Sequence, residues 1–155
     1  MRSNKLLLSL LFIGLVGCSK NTQQGWQLTK QGLSYNQQAI NIESEKIPQC
    51  DECIIAKNSQ HSPNGPITTY AIKHNNLQVA GAGITQDSSV FIPNNQGATR
   101  LPLRNEEGKW LLDVQGNKIL LQEGQVSKVT IYNQQYMLFL EAIDGQKIKY
   151  TWLKS

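Results

Sequence analysis

The chain predicts an all-β fold, a small sandwich or barrel of antiparallel strands and hairpins. Three observations carry this expectation. Apolar and polar residues alternate along most of residues 26–155, the period of a strand with one buried face. Turn signals such as Asn75-Asn76, Gln115-Gly116-Asn117 and Asp144-Gly145 separate short runs, as in chains built of hairpins. Beyond the first 25 residues, no stretch sustains a helical period over three turns.

The elements follow in order. Candidate strands in the first half are "WQLT", "LSY", "AINIE", "CIIA", "TTYAIK", "LQVAGAGI", "SVFI" and "TRLPL", each rich in β-branched or aromatic residues or alternating with a period of two. Pro102 lacks an N–H and so predicts an edge or bulge for the last of these. Gly81-Ala82-Gly83 lacks the third glycine and following helix of a nucleotide loop, and small residues within a strand mark close backbone approach or a bulge. "KWLLDV" and "KILLQE" form a hairpin across Gln115-Gly116-Asn117, and "KVTIY" turns into "YMLFL" through Asn133-Gln134. "YMLFLEAI" is apolar on both faces, as a central strand covered on both sides would be. In "QKIKYTWLK", Ile148, Tyr150 and Trp152 share one face, while Lys147, Lys149 and Thr151 share the other, which is expected to be wet. Asp144-Gly145 joins these last two strands as a hairpin turn. "YNQQ" occurs at 35–38 and again at 132–135, which reads as one turn chemistry used twice.

The first residues set the address. Arg2 and Lys5 precede an apolar run from Leu6 to Val16, too short for the roughly 20 residues that span a bilayer. A basic start, an apolar middle and a small-residue exit make a secretory signal peptide. Leu15-Val16-Gly17-Cys18 resembles the lipobox of bacterial lipoproteins, a likeness confined to residues 1–18. It implies that residues 1–17 are removed and that Cys18 carries acyl chains as the new N-terminus. Ser19 after the cysteine resembles the pattern sent to the outer membrane. Two or more chains anchor a protein stably, so Cys18 alone would hold the domain to a leaflet. Residues 18–25 then form a polar tether, and 26–155 a single β-rich domain of about 130 residues, enough for a real core.

Loss of Arg2 and Lys5 leaves 13 basic against 11 acidic side chains. That scattered, near-balanced charge gives no electrostatic footprint for nucleic acid. Asn and Gln are abundant but lie between apolar runs, as in polar turns and solvated faces.

Cys50 and Cys53 in "PQCDECIIAK" allow three readings. A redox centre needs a stabilised thiolate, yet Asp51 and Glu52 oppose a second negative charge on sulfur, and "IIAKN" does not open a helix. A metal site needs two more ligands, and His61 and His74 are not spaced as a zinc motif. His61 falls in the turn-rich "SQHSPNGP" as a surface residue, and His74 ends a strand without an assigned role. The favoured reading is a disulfide, the usual fate of paired thiols in an oxidising compartment. So short a ring is expected to stabilise at or below the low end of about 2–4 kcal/mol, and to fix a sharp bend before Ile54.

No G-x-S-x-G elbow, H-E-x-x-H or phosphate-cradling glycine loop occurs. Asp51/Glu52 and Glu106/Glu107 are adjacent carboxylates that point to opposite faces of an extended chain. Trp110 and Trp152 read as core. Trp26, at the mouth of the tether, is open to a membrane or partner contact. No catalytic residue, metal ligand or cofactor is assigned. The resulting expectation is a lipid-anchored, non-enzymatic module facing the periplasm from the outer membrane, with cell-surface display as a variant, that binds a protein partner of an envelope machine. The alternative is a small-ligand or metal-binding lipoprotein using a β-barrel mouth or the Cys50–Cys53 loop.

Overall fold

The computed structural model describes residues 25–94 and 96–155; the lipobox and most of the expected tether lie outside these. The fold is all-β. Strands β1 (Trp26–Thr29), β2 (Gly32–Tyr35) and β3 (Gln38–Ala39) form a small antiparallel sheet, followed by a 3-10 turn at Ile42–Ser44. Next come β4 (Cys53–Ser62), β5 (Gly65–His74) and β6 (Leu77–Thr85). The chain then crosses to a second layer of β7 (Ser89–Asn94), β8 (Gly97–Glu106), β9 (Lys109–Val114) and β10 (Asn117–Leu121). It returns as β11 (Val126–Ile131), β12 (Gln134–Asp144) and β13 (Lys147–Lys154). The largest sheet has the order β11-β12-β13-β6-β5-β4, and the facing sheet the order β10-β9-β8-β7. Because β13 closes against β6, strands β6 to β13 make a meander folded into a sandwich, and β5 and β4 extend it as a ribbon.

The six-stranded sheet is covered on both faces, and the sequence period shows why. On β12, Tyr136, Leu138 and Leu140 enter the core shared with the four-stranded sheet, while Phe139 enters the core under the three-stranded sheet. On β13, Ile148, Tyr150 and Trp152 take the first core and Leu153 the second. The expected wet face of β13 is therefore partly dry. Lys149 stays at the surface, between Glu43 at 3.3 Å and Glu141 at 3.4 Å. Burial alone would lower its ammonium pKa, but the two carboxylates outweigh that and hold it raised.

Gly81 and Gly83 are where the first core is tightest. They lie opposite Trp152 and Tyr150 in the β6–β13 ladder, and the aromatic side chains occupy the space a Cβ would need. The Tyr150 hydroxyl reaches the second layer, accepting from the Phe91 N–H at 2.8 Å and donating to the Phe91 carbonyl at 3.1 Å. One phenol thus ties β13 to β7 across the sandwich.

The crossing from β6 to β7 is polar and sealed. The buried Ser89 hydroxyl donates to Asp87 Oδ1, Arg100 Nε donates to Asp87 Oδ2 at 3.1 Å, and Thr85 Oγ1 donates to the Ser89 carbonyl at 2.7 Å. Asp87 is nearly buried, and a buried carboxylate is tolerated when paired and hydrogen-bonded in this way.

Several hairpins close through two residues that both have positive φ, the type I′ geometry that matches strand twist. Asn36-Gln37, Asn75-Asn76, Gln115-Gly116 and Tyr132-Asn133 all do so. The two "YNQQ" copies therefore do use one turn type, but shifted by a residue: the turn is Asn36-Gln37 in the first and Tyr132-Asn133 in the second. "AINIE" is strand only at Ala39, the last residue of β3. Asn41 caps the 3-10 turn, its side chain accepting from the Glu43 N–H at 3.2 Å, and Glu45 ends the turn with φ 62°. Pro102 sits in a strand flanked on both sides, yet its own partner is Ser89 on β7 and the ladder to β9 starts only at Leu103. Its missing N–H therefore costs no bond to β9.

Candidate functional site

The corner that matters is built where the "CDEC" turn meets the open end of the β4–β5 hairpin. Cys50 N–H donates to the Ile47 carbonyl at 3.0 Å and Cys53 N–H to the Cys50 carbonyl at 3.3 Å. The chain thereby reverses into β4, and Cys50 and Cys53 are joined as a disulfide with Cα atoms 5.4 Å apart. Cys50 is buried and Cys53 half-buried. The disulfide expectation holds, and the bend it was expected to fix is this entry to β4.

His74 stands opposite Cys53 in the β4–β5 register. Its Nδ1 accepts from the Trp26 indole N–H at 3.1 Å, and its Nε2 lies 3.5 Å from Glu52 Oε1. With Nδ1 as acceptor, the neutral ring carries its proton on Nε2, facing the carboxylate. The Tyr35 ring meets the imidazole edge-on at 5.4 Å and lies 4.7 Å from Trp26. Trp26 is 2% exposed, so the side chain at the mouth of the tether is a core residue and not a free contact surface. One corner thus gathers a disulfide, an imidazole, an indole and a phenol. The ligand-capable atoms of Cys50, Cys53 and His74 all lie within 4.8 Å of one another.

Local sequence pattern assigns His74 no role, although a signal is present. β4 and β5 each run ten residues from the Pro63-Asn64 turn, and counting outward from that turn brings Cys53 to His74. His61 is exposed as expected, but it lies on β4 opposite Pro66 and not in a loop. Glu106 pairs with Lys118 at 3.0 Å, and Glu107 occupies a turn with φ 57°. Their adjacency creates no shared proton site.

Two further concavities stand out among the described residues. A cleft of about 270 Å³ between the three-stranded and six-stranded sheets has Leu33, Ile40, Tyr70 and Ala82 in its walls and Glu43, Lys149 and Glu141 in its lining. An open trough of about 570 Å³ runs past Arg100, Arg104 and Trp110. Trp110 packs against the first core from a half-buried position, so it is core on one side only.

The free edge of β4 is the other feature of note. The strand is ten residues long, pairs with β5 without a register shift, and is the longest strand at any sheet edge among the described residues. Residues 56–61 are exposed throughout, and Ile54 is 62% exposed. β4 carries one charged side chain, Lys57, which lies 3.8 Å from Glu45.

Comparison with known proteins finds no matching family model, no similar curated protein and no similar solved structure. Among the described residues no helix is long and apolar enough to cross a membrane.

Proposed function

We propose that this chain is a lipoprotein of the outer membrane, held through acyl chains on Cys18, and that its β domain is a non-enzymatic docking module for a protein of the cell envelope. The observation that carries the docking half is β4. An edge strand presents a row of unpaired N–H and C=O groups, and proteins usually blunt such edges with charge, proline, bulges or covering elements. β4 has no proline or bulge, and its one lysine is drawn toward Glu45. A partner strand adding to this edge would gain main-chain hydrogen bonds, with Ile54 offering an apolar side-chain contact. The anchor half is supported by the lipobox-like residues and by the Cys50–Cys53 disulfide, a bond at home outside the reducing cytoplasm.

Anchoring has a direct test. Cys18→Ala is expected to move the protein from the membrane fraction to the soluble periplasmic fraction, since one cysteine carries all the acyl chains. Continued sedimentation with membranes after a high-salt wash would defeat the anchor.

A further inference from the structure

The geometry points to a zinc site that forms at Cys50, Cys53 and His74 when their disulfide is reduced. It uses Cys53 at the start of β4 but neither Cys18 nor the exposed stretch 56–61 of that strand, and its readout is metal uptake, so its failure is distinguishable from failure of the docking role. The three residues already offer one sulfur, one sulfur and one imidazole nitrogen within 4.8 Å of one another. Zinc bound at about 2.3 Å to thiolate and 2.0–2.1 Å to imidazole spaces its tetrahedral ligands at roughly 3.5–4 Å. The largest adjustment is the parting of the two sulfurs from bonding distance by roughly 1.5–2 Å, with the imidazole already within reach. Two thiolates and an imidazole suit zinc, and three protein ligands leave a fourth position for water or for Glu52. The Glu52 carboxylate is already 3.5 Å from His74 Nε2.

The balance of the step is simple. An external dithiol gives two electrons and two protons to the S–S bond and becomes a disulfide itself, leaving Cys50 and Cys53 as thiols. Zn²⁺ then displaces both thiol protons to solvent. Two thiolates cancel the charge of the ion, so the half-buried corner gains no net charge. Asp51 and Glu52, which disfavour a bare thiolate beside them, favour the cation. The acidic pair that argues against redox catalysis thus argues for metal capture.

Trp26 is the built-in reporter. Its indole N–H now donates to His74 Nδ1. A metal on Nδ1 takes that lone pair, and a metal on Nε2 moves the ring proton to Nδ1. In either case Trp26 loses its acceptor.

The test uses the full chain in detergent, reduced by a phosphine under inert gas and given Zn²⁺ alone. The reduced protein is expected to retain about one zinc per chain after dialysis and the oxidised protein none, since the described residues hold one Cys50–Cys53–His74 set and a disulfide offers no thiolate. Zinc should change tryptophan emission in the reduced protein and not in its Trp26→Phe variant. His74→Ala should weaken zinc at least about tenfold, and Cys50→Ser with Cys53→Ser should abolish uptake. The proposal is overturned if reduced wild type takes up no more zinc than the double serine variant, or if His74→Ala binds as tightly as wild type. It is equally overturned if reduction removes the β-sheet circular dichroism and zinc does not restore it.

Discussion

Replacing Gly83 by alanine is expected to cost about 3 kcal/mol or more, the upper range for overpacking a rigid core. An added Cβ would run into the Tyr150 ring, with Cε1 at 2.6 Å and Cζ and Oη closer still. The ring has nowhere to go: Tyr150 is buried and its hydroxyl is held at both ends by Phe91. Gly81→Ala should be similarly costly, because its Cβ meets Trp152 Cε2 at 2.6 Å and the Tyr70 carbonyl. Chemical unfolding monitored by tryptophan emission gives the values. Gly116→Ala is the control, since no atom lies within 4 Å of its Cβ and only the positive φ of 86° is strained, a cost of about 1–2 kcal/mol. If the collision is the cause, Gly83→Ala and Tyr150→Ala together should cost clearly less than their separate effects added.

The second large effect is expected at the phenol that bridges the layers. Tyr150→Phe leaves the part-buried Phe91 N–H and carbonyl without their side-chain partner, for about 2–3 kcal/mol if each orphan costs toward the low end of 1–3. The same hydroxyl shapes the alkaline limb of stability. Burial pushes its pKa above the ordinary 10.0, the Phe91 N–H bond opposes this, and the Asp87 charge adds to the rise. A raised folded-state pKa means that the unfolded chain loses its proton first. The contribution is therefore constant below pH 10 and is lost as pH rises above it. Wild type should lose up to about 1.4 kcal/mol per pH unit through this group above pH 10, and Tyr150→Phe should lack that component. Tyr136, also raised by burial, contributes to the slope that remains. Equal slopes in wild type and Tyr150→Phe would refute the assignment.

How much of this was readable beforehand depends on whether a residue has a buried face. β12 and β13 were legible because both carry core residues at period two, and Gly81 and Gly83 were legible as a close approach or a bulge; the approach proves to be that of aromatic rings, joined at Gly81 by the Tyr70 carbonyl. β4 was legible only as far as Ala56. Its second half, "KNSQHS", is exposed on both faces, so no alternation marks it, although the hairpin pairing with β5 fixes it as strand. "AINIE" misled in the opposite sense: Ile40 and Ile42 alternate with polar residues, but they pack under the small sheet from the irregular segment after β3 and from the 3-10 turn. The corner at Cys50 and His74 was half legible. The disulfide followed from residue count and compartment, whereas the approach of His74 depends on hairpin length, which the polar end of β4 obscures. Trp26 alternates with Leu28 in "WQLT", but four residues beside a tether do not show which element covers that face.

The most direct test of the docking role is a photoactivatable residue at Ser59 on β4, in the otherwise unaltered chain, illuminated in intact cells. A discrete adduct with a protein neighbour is expected there, and none from the same residue at exposed Lys109 on β9. Crosslinking at Ser59 no greater than at Lys109 would contradict docking at this edge.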